Sequence, residues 1–219
     1  MKAEIKLTED GSHTLFVPEI DESYHSTFGA IQESKHIFIE TGLKHHSGSE
    51  LCIFEVGFGT GLNAFLTYIT AKELQIKVKY ISVEKYPLSE ELYMKLNYAE
   101  LIHPDYKDFF NDLHKCSWNK LNVISDFFSI EKIETDFTQF EHKNNYDVIY
   151  FDAFSPEKQP EMWSEEQFRK IYEHSNQDAI LTTYCAKGMV RRAMISAGFK
   201  VERLPGPPGK REILRATKQ

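Results

Sequence analysis

Gly57, Gly59 and Gly61 stand at alternate positions between an apolar run, Leu51–Val56, and a stretch that reads as a helix from Leu62 to Lys72. Glycines at such a junction let the main chain turn tightly and let a ligand lie against backbone atoms. The spacing departs from the dinucleotide pattern G-x-G-x-x-G, because the third glycine comes one residue early and Leu62 stands where that pattern wants Gly or Ala. No Gly-Lys-Ser/Thr follows, which excludes a phosphate-binding P-loop. Acids then end three further strand-like runs. Glu84 closes Lys77–Glu84, 23 residues after Gly61, where a carboxylate can accept hydrogen bonds from both hydroxyls of a ribose. Asp136 follows Phe128–Thr135 and is placed to reach the exocyclic amine of an adenine; Asp126 is its rival. Asp152 ends the nearly continuous apolar run Tyr146–Phe151. Ligands of open α/β sheets sit outside the carboxyl ends of strands, so Asp152 is aimed at reacting groups. A carboxylate there can hold an amine, accept its proton and orient its lone pair.

These residues need a sheet to gather them. From Glu50 onward strands alternate with helices, which predicts a mostly parallel sheet covered by helices on both faces. The strands are expected at Leu51–Val56, Lys77–Glu84, Phe128–Thr135, Tyr146–Phe151, Ala179–Tyr184, Phe199–Leu204 and Glu212–Thr217. The last two are joined by PGPPGKR and read as an antiparallel hairpin at one edge, giving seven strands in all. Helices are expected at Leu88–Leu96, at Ser164–His174 with Ser164 and Gln167 in a capping box, and at Lys187–Ala197 closed by Gly198. Asn97–Asp126 is aromatic and mixed, and reads as two short helices. Ahead of the sheet, Glu4–Val17 reads as a hairpin turning at Asp10-Gly11, and Thr27–Gly42 as a helix. The whole is one domain over 1–219, with an N-terminal hairpin and helix extension (1–48) and a Rossmann-like core (49–219).

The form Glu55-x-Gly57-x-Gly59-x-Gly61 resembles the first motif of adenosylmethionine-binding methyltransferases, and Asp152-x-Phe154-x-Pro156 is similar to the Asp/Asn-Pro-Pro-aromatic motif of enzymes that methylate exocyclic amines. A narrower resemblance covers residues 10 to 212. It rests on Asp10-Gly11-Ser12, Tyr24-x-Ser26 with Gly29 and Glu33, and Gly57-Phe58-Gly59-Thr60-Gly61-Leu62-Asn63. It continues through Phe151-Asp152-Ala153-Phe154-x-Pro156, Pro160-Glu161-Met162-Trp163, Thr183-Tyr184, Gly188-x-Val190-Arg191-Arg192, Ala197-Gly198-Phe199 and Gly209-Lys210-Arg211-Glu212. On these the chain resembles the tRNA 5-methylaminomethyl-2-thiouridine methyltransferase family, found as one half of the bifunctional MnmC enzyme and as the free-standing MnmD. The resemblance implies a class I methyltransferase fold and methyl transfer from S-adenosylmethionine to the 5-aminomethyl group of a wobble uridine. Asp152 is then the catalytic residue. Tyr24, Glu55, Gly57, Gly59, Gly61, Asn63, Glu84, Asp136 and Asp152 are expected on the cofactor, with Phe154 on the substrate. Bifunctional members carry an FAD-dependent oxidase domain that unmasks the amine. No such domain is expected in a chain ending at Gln219, so a separate enzyme would supply the aminomethyl tRNA.

Charge and composition bound these expectations. The net charge of −7 disfavours nucleic acid at first sight, but residues 187–219 hold nine Lys/Arg against two acids, a net +7, which leaves −14 on residues 1–186. A basic end on an acidic body can hold a phosphate backbone locally. Lys187, Arg191, Arg192, Lys210 and Arg211 are therefore expected to form one basic face that contacts tRNA phosphates. Three widely spaced cysteines, Cys52, Cys116 and Cys185, form no disulfide or zinc pattern and suit the cytoplasm. His25 and His36 lack partners at ligand spacing, so no metal is expected. No run reaches membrane-spanning length, and the first residues lack the apolar core of a secretory signal. A methyltransferase of a small amine or a protein remains open. A nicotinamide-dependent oxidoreductase shares the Glu84 device but not the glycine spacing, and a catalytically dead binding module has no need of Asp152.

Overall fold

The computed structural model describes residues 2–219. The N-terminal segment forms β1 (Glu4–Leu7) and β2 (His13–Val17), the expected hairpin around Asp10-Gly11, to which the two-residue β3 (Glu22–Ser23) adds a third antiparallel strand. Helix α1 (Ala30–Ser34) runs on into a wider π turn over Lys35–Glu40. The helix begins later than Thr27 because Gly29, at φ 148°, holds a conformation that no helix accepts.

The core then follows as β4 (Glu50–Val56), α2 (Leu62–Leu74), β5 (Lys77–Glu84), α3 (Glu90–Tyr93), α4 (Tyr98–Ile102), α5 (Lys107–Lys115), β6 (Lys120–Ser125) and β7 (Phe128–Glu134). It ends with β8 (Tyr146–Phe151), α6 (Glu165–Glu173), β9 (Ser175–Thr183), α7 (Gly188–Ala197), β10 (Lys200–Pro205) and β11 (Glu212–Thr217). The strand order is β10-β11-β9-β8-β4-β5-β7-β6. The central strands β9, β8, β4, β5 and β7 are parallel, and β10 and β11 form the expected antiparallel edge. No described helix is long and apolar enough to cross a membrane.

The sheet has eight strands rather than seven. The additional strand, β6, pairs antiparallel with β7 at the other edge. It lies within the stretch read as two short helices, and its sequence KLNVIS buries no residue fully, so no clear alternation marks it. Two helices do occupy that stretch, α4 and α5. The helix expected over Leu88–Leu96 shrinks to the single turn α3.

Side chains alternate across the sheet and feed two apolar layers. One layer packs Ile53, Tyr80 and Tyr150 with Phe38, Phe65 and Phe110; the other packs Phe54, Val56, Ile149 and Phe151 with Trp163, Phe168 and Met194. β8 is buried along nearly its whole length, as a parallel strand covered on both faces must be. Ser164 caps α6 by accepting from the Gln167 N–H. This arrangement brings the ends of β4, β5, β7 and β8 to one rim.

Candidate active site

A cleft opens at that rim. Its wall includes Gly57, Gly59 and Asn63 from the first turn, Glu84, Asp136, and Asp152 with Phe154; Tyr24 and Lys210 face them. Nine expected site residues thus meet in one place. Gly57 (φ 91°) and Gly59 (φ 49°) both sit in the left-handed region. A side chain on Gly57 would press on the Asp152 carbonyl at 3.1 Å, and one on Gly59 would strike the Tyr24 ring at 2.9 Å. The turn therefore lies directly against both the strand end that carries Asp152 and an aromatic wall, which only glycine permits.

Glu84 accepts from the Gly59 N–H at 3.0 Å and the Tyr86 N–H at 2.8 Å. Burial raises its pKa, against the pull of those backbone donors. Asp136 keeps one oxygen on Thr138 and gives the other to Lys85 at 2.8 Å, and the Lys85 hydrogen bond holds its carboxyl below the usual range. Asp126 lies at the opposite end of β7, beside a separate depression at the sheet's other rim, so Asp136 alone reaches the cleft.

Asp152 accepts from Asn63 Nδ2 at 2.8 Å, which fixes its carboxylate. Burial pushes its pKa up to about 7, with the Glu33 charge adding to the rise and Asn63 and Lys210 opposing it. A carboxylate so poised can gain or lose a proton near neutrality.

Two expected cofactor residues are not on the cleft wall. Glu55 is fully buried beneath the turn, where Ser82 Oγ donates to it at 2.7 Å. The period-2 alternation of β4 turns it into the layer under α2. Its other oxygen has no partner, and burial lifts its pKa to about 8. Gly61 starts α2 in a left-handed conformation and packs on His114.

The turn is held from below by residues the sequence did not single out. His114, kept neutral by burial with a pKa near 3, donates to the Thr60 carbonyl at 3.1 Å. Lys132 is fully buried, donates to the carbonyls of Leu113 and His114 at the end of α5, and lies under the rings of Phe58 and Trp118.

The N-terminal extension roofs the cleft. Glu22 accepts from the N–H and hydroxyl of Ser155, His25 hydrogen-bonds Thr60 Oγ1 at 2.7 Å, and the Tyr24 ring meets Phe154 edge-on. Glu33 joins it to the C-terminal loop through Lys210 at 3.3 Å. The run Tyr24-x-Ser26 with Gly29 and Glu33 was a signal for this roof, because Glu33 Oε2 accepts from the Ser26 N–H at 2.8 Å.

The basic residues divide. Lys210 does not join an outer face; it turns into the cleft, drawn by Glu33 and the Tyr184 ring. Lys187 pairs with Glu157 outside the cleft. Arg191 and Arg192, near the start of α7, and Arg211 make no ion pair among the described residues.

The cleft fits a phosphate-free cationic nucleoside better than a dinucleotide. Its charged lining is mainly carboxylate, and its two lysines, Lys85 and Lys210, are each paired to an acid. A pyrophosphate needs only the backbone N–H groups of a helix N-terminus, but these carboxylates would repel it, whereas a sulfonium with a ribose and an adenine meets acceptors.

Fold and cleft together define a Rossmann-like methyltransferase. A sequence model of the S-adenosyl-L-methionine-dependent methyltransferase family matches residues 97–219, more than half of the chain, and the chain belongs to that family. It uses S-adenosylmethionine. It is 30% identical over 217 residues to the tRNA 5-methylaminomethyl-2-thiouridine biosynthesis bifunctional protein MnmC of Pseudomonas syringae pv. syringae, covering 91% of this chain and 32% of that protein. The same-named protein of Leptospira interrogans serovar copenhageni is 30% identical, over 95% of this chain and 34% of its own. The chain thus spans about a third of the length of these relatives. The crystal structure of MNMC2 from Aquifex aeolicus superposes with a TM-score of 0.81 at 27% identity, covering all of this chain and 70% of that one. Spermidine synthase from Thermotoga maritima shares the fold alone, with a TM-score of 0.60 at 14% identity.

Proposed function

We propose that the chain methylates the primary amine of 5-aminomethyluridine, with or without the 2-thio group, at the wobble position of tRNA. The observation that carries this reading is Asp152, held by Asn63 in a cleft beside the glycine turn and poised to exchange a proton near neutrality. The relatives, named for tRNA 5-methylaminomethyl-2-thiouridine biosynthesis, supply the substrate class.

S-adenosylmethionine supplies an electrophilic methyl on a positively charged sulfur. Gly57 and Gly59, which line the cleft with Glu84 and Asp136, would leave room for it against the main chain, Glu84 would hold its ribose and Asp136 its adenine. Tyr24 and Phe154 wall the reacting centre and keep water out. An alkylamine arrives at pH 7 mostly protonated, without a lone pair to offer. Asp152 holds the ammonium, takes its proton, and fixes the neutral nitrogen in place. Arg191, Arg192, Arg211 and Lys187 flank the end of β9 and contact tRNA phosphates. The reaction belongs to the cytoplasm.

The test is mass spectrometry of tRNA nucleosides after incubation of aminomethyl-uridine tRNA with the protein and S-adenosylmethionine. A gain of one methyl on that nucleoside is expected. Asp152→Asn should bind cofactor almost normally while turnover falls by about 10²–10⁴. Full turnover in Asp152→Asn would remove Asp152 from the reaction, and methylation of free amines but not of tRNA would overturn the substrate.

A further inference from the structure

A continuous set of contacts leads from the N-terminal extension to Asp152. Glu33 is buried, with Oε2 on the Ser26 N–H and Oε1 3.3 Å from Lys210 Nζ. Lys210 Nζ lies 4.8 Å above the Tyr184 ring. The Tyr184 hydroxyl donates to the carbonyl of Ala153, the residue after Asp152, at 2.9 Å. Both Glu33 and Lys210 line the cleft, and the charges of both reach Asp152.

An amine methyltransferase has a charge problem in such a pocket. Each carboxylate near the acceptor stabilises its ammonium form, which cannot react. Two carboxylates also compete for one proton and raise each other's affinity for it. A carboxylate already protonated from solvent accepts nothing from the substrate.

We infer that Lys210 cancels the charge of Glu33, so that Asp152 meets the acceptor ammonium without a second free carboxylate beside it, and that Glu33 and Lys210 are positioning residues for amine deprotonation. This rests on the amine-acceptor reading above. The step itself is one proton transfer: the N–H bond of the ammonium breaks, its electron pair stays on nitrogen as the lone pair, and the proton joins Asp152. It passes to water once the product leaves.

Other groups face Asp152 as well. Glu55 and Tyr80 lie below it in the sheet, and Asp152's own charge reaches both. Glu22 lies on the roof, its carboxylate engaged by Ser155, and Tyr184 lies at the side. None of these is a cation. Lys210 is the positive charge that reaches Asp152.

The experiment is the pH profile of kcat/KM for methyl transfer to aminomethyl-uridine tRNA, in wild type, Lys210→Met, Lys210→Arg, Glu33→Gln and the double variant Glu33→Gln/Lys210→Met. Calorimetric binding of S-adenosylmethionine checks that each variant is folded. Lys210→Met leaves Glu33 uncompensated, and the acid limb should move up by about one pH unit. Lys210→Arg should keep the wild-type limb, Glu33→Gln should move it down, and the double variant should return it close to wild type. An unchanged limb in Lys210→Met that still binds cofactor, with Asp152→Asn inactive, overturns this inference and leaves the amine reading standing. If Lys210→Met does not fold, a Glu33→Gln limb that stays in place or moves up overturns it instead. Full turnover in Asp152→Asn overturns both.

Discussion

Glu55→Gln separates a buried acid from a charged one. Glu55 is fully buried, donor Ser82 serves one of its oxygens, and burial lifts its pKa from 4.5 to about 8. At neutral pH the folded chain therefore keeps a proton that the unfolded chain releases above about pH 4.5. The sign follows. Wild type loses stability relative to the glutamine variant as pH rises from 4.5 through 8, and the difference is constant above that. At about 1.4 kcal/mol per pH unit, the variant should gain roughly 3 kcal/mol at pH 7 and roughly 5 kcal/mol above pH 8, and almost nothing at pH 4.5. Glutamine keeps the shape: its carbonyl takes the Ser82 hydrogen, and its amide stands where the carboxyl hydrogen stood. Because Glu55 does not line the cleft, cofactor affinity should hardly change. The assay is urea unfolding of both proteins at pH 5 and pH 8, with calorimetric cofactor titration alongside. A variant no more stable than wild type at pH 8, or a gain equal at both pH values, would refute the reasoning and mean that Glu55 is ionised inside the sheet.

The other expectations are shorter. Glu84→Ala should weaken S-adenosylmethionine binding by about 1–3 kcal/mol in the same titration; unchanged affinity takes Glu84 off the ribose. Lys132→Met leaves the Leu113 and His114 carbonyls without their buried donor and should cost about 2–4 kcal/mol in urea unfolding. An unaltered midpoint would mean that water or another donor serves those carbonyls. Charge reversal at Arg191 and Arg192 should lower tRNA affinity and reduce the salt slope by roughly 0.7–0.9 per lost phosphate contact. Salt dependence equal to wild type would make this an ordinary surface.

Much of the cleft was legible in the chain because it is built at strand ends. The order strand, glycine turn, helix placed Gly57, Gly59 and Asn63, and acids closing apolar runs placed Glu84, Asp136 and Asp152. What escaped depends on partners remote in sequence. Lys210 sits among basic neighbours, and only the position of Glu33 turns it inward. Glu55 belongs to a glycine motif whose other members reach the ligand, but the strand's alternation sends it beneath them. β6 has the irregular, half-exposed pattern of an edge, where burial imposes no period. Lys132 reads as a polar residue on a strand, and its value as a donor appears only once α5 ends above it.

The roof of the cleft joins distant parts of the chain. His36 hydrogen-bonds the Pro205 carbonyl across 169 residues, next to the Glu33–Lys210 pair. On a ribosome adding about 5–20 residues per second, roughly ten to thirty seconds separate the synthesis of the two sides. By the end of that interval the glycine turn and the strand ending at Asp152 have been made, while Glu33 and His36 still wait for their C-terminal partners. The pocket is thus completed late in translation. A nascent chain stalled before residue 205 should carry the floor of the cleft and the roof residues that meet Thr60, Phe154 and Ser155, but not the ties of Glu33 and His36 to the C-terminal loop, so catalytic competence arrives after the sheet's centre has formed and not with it.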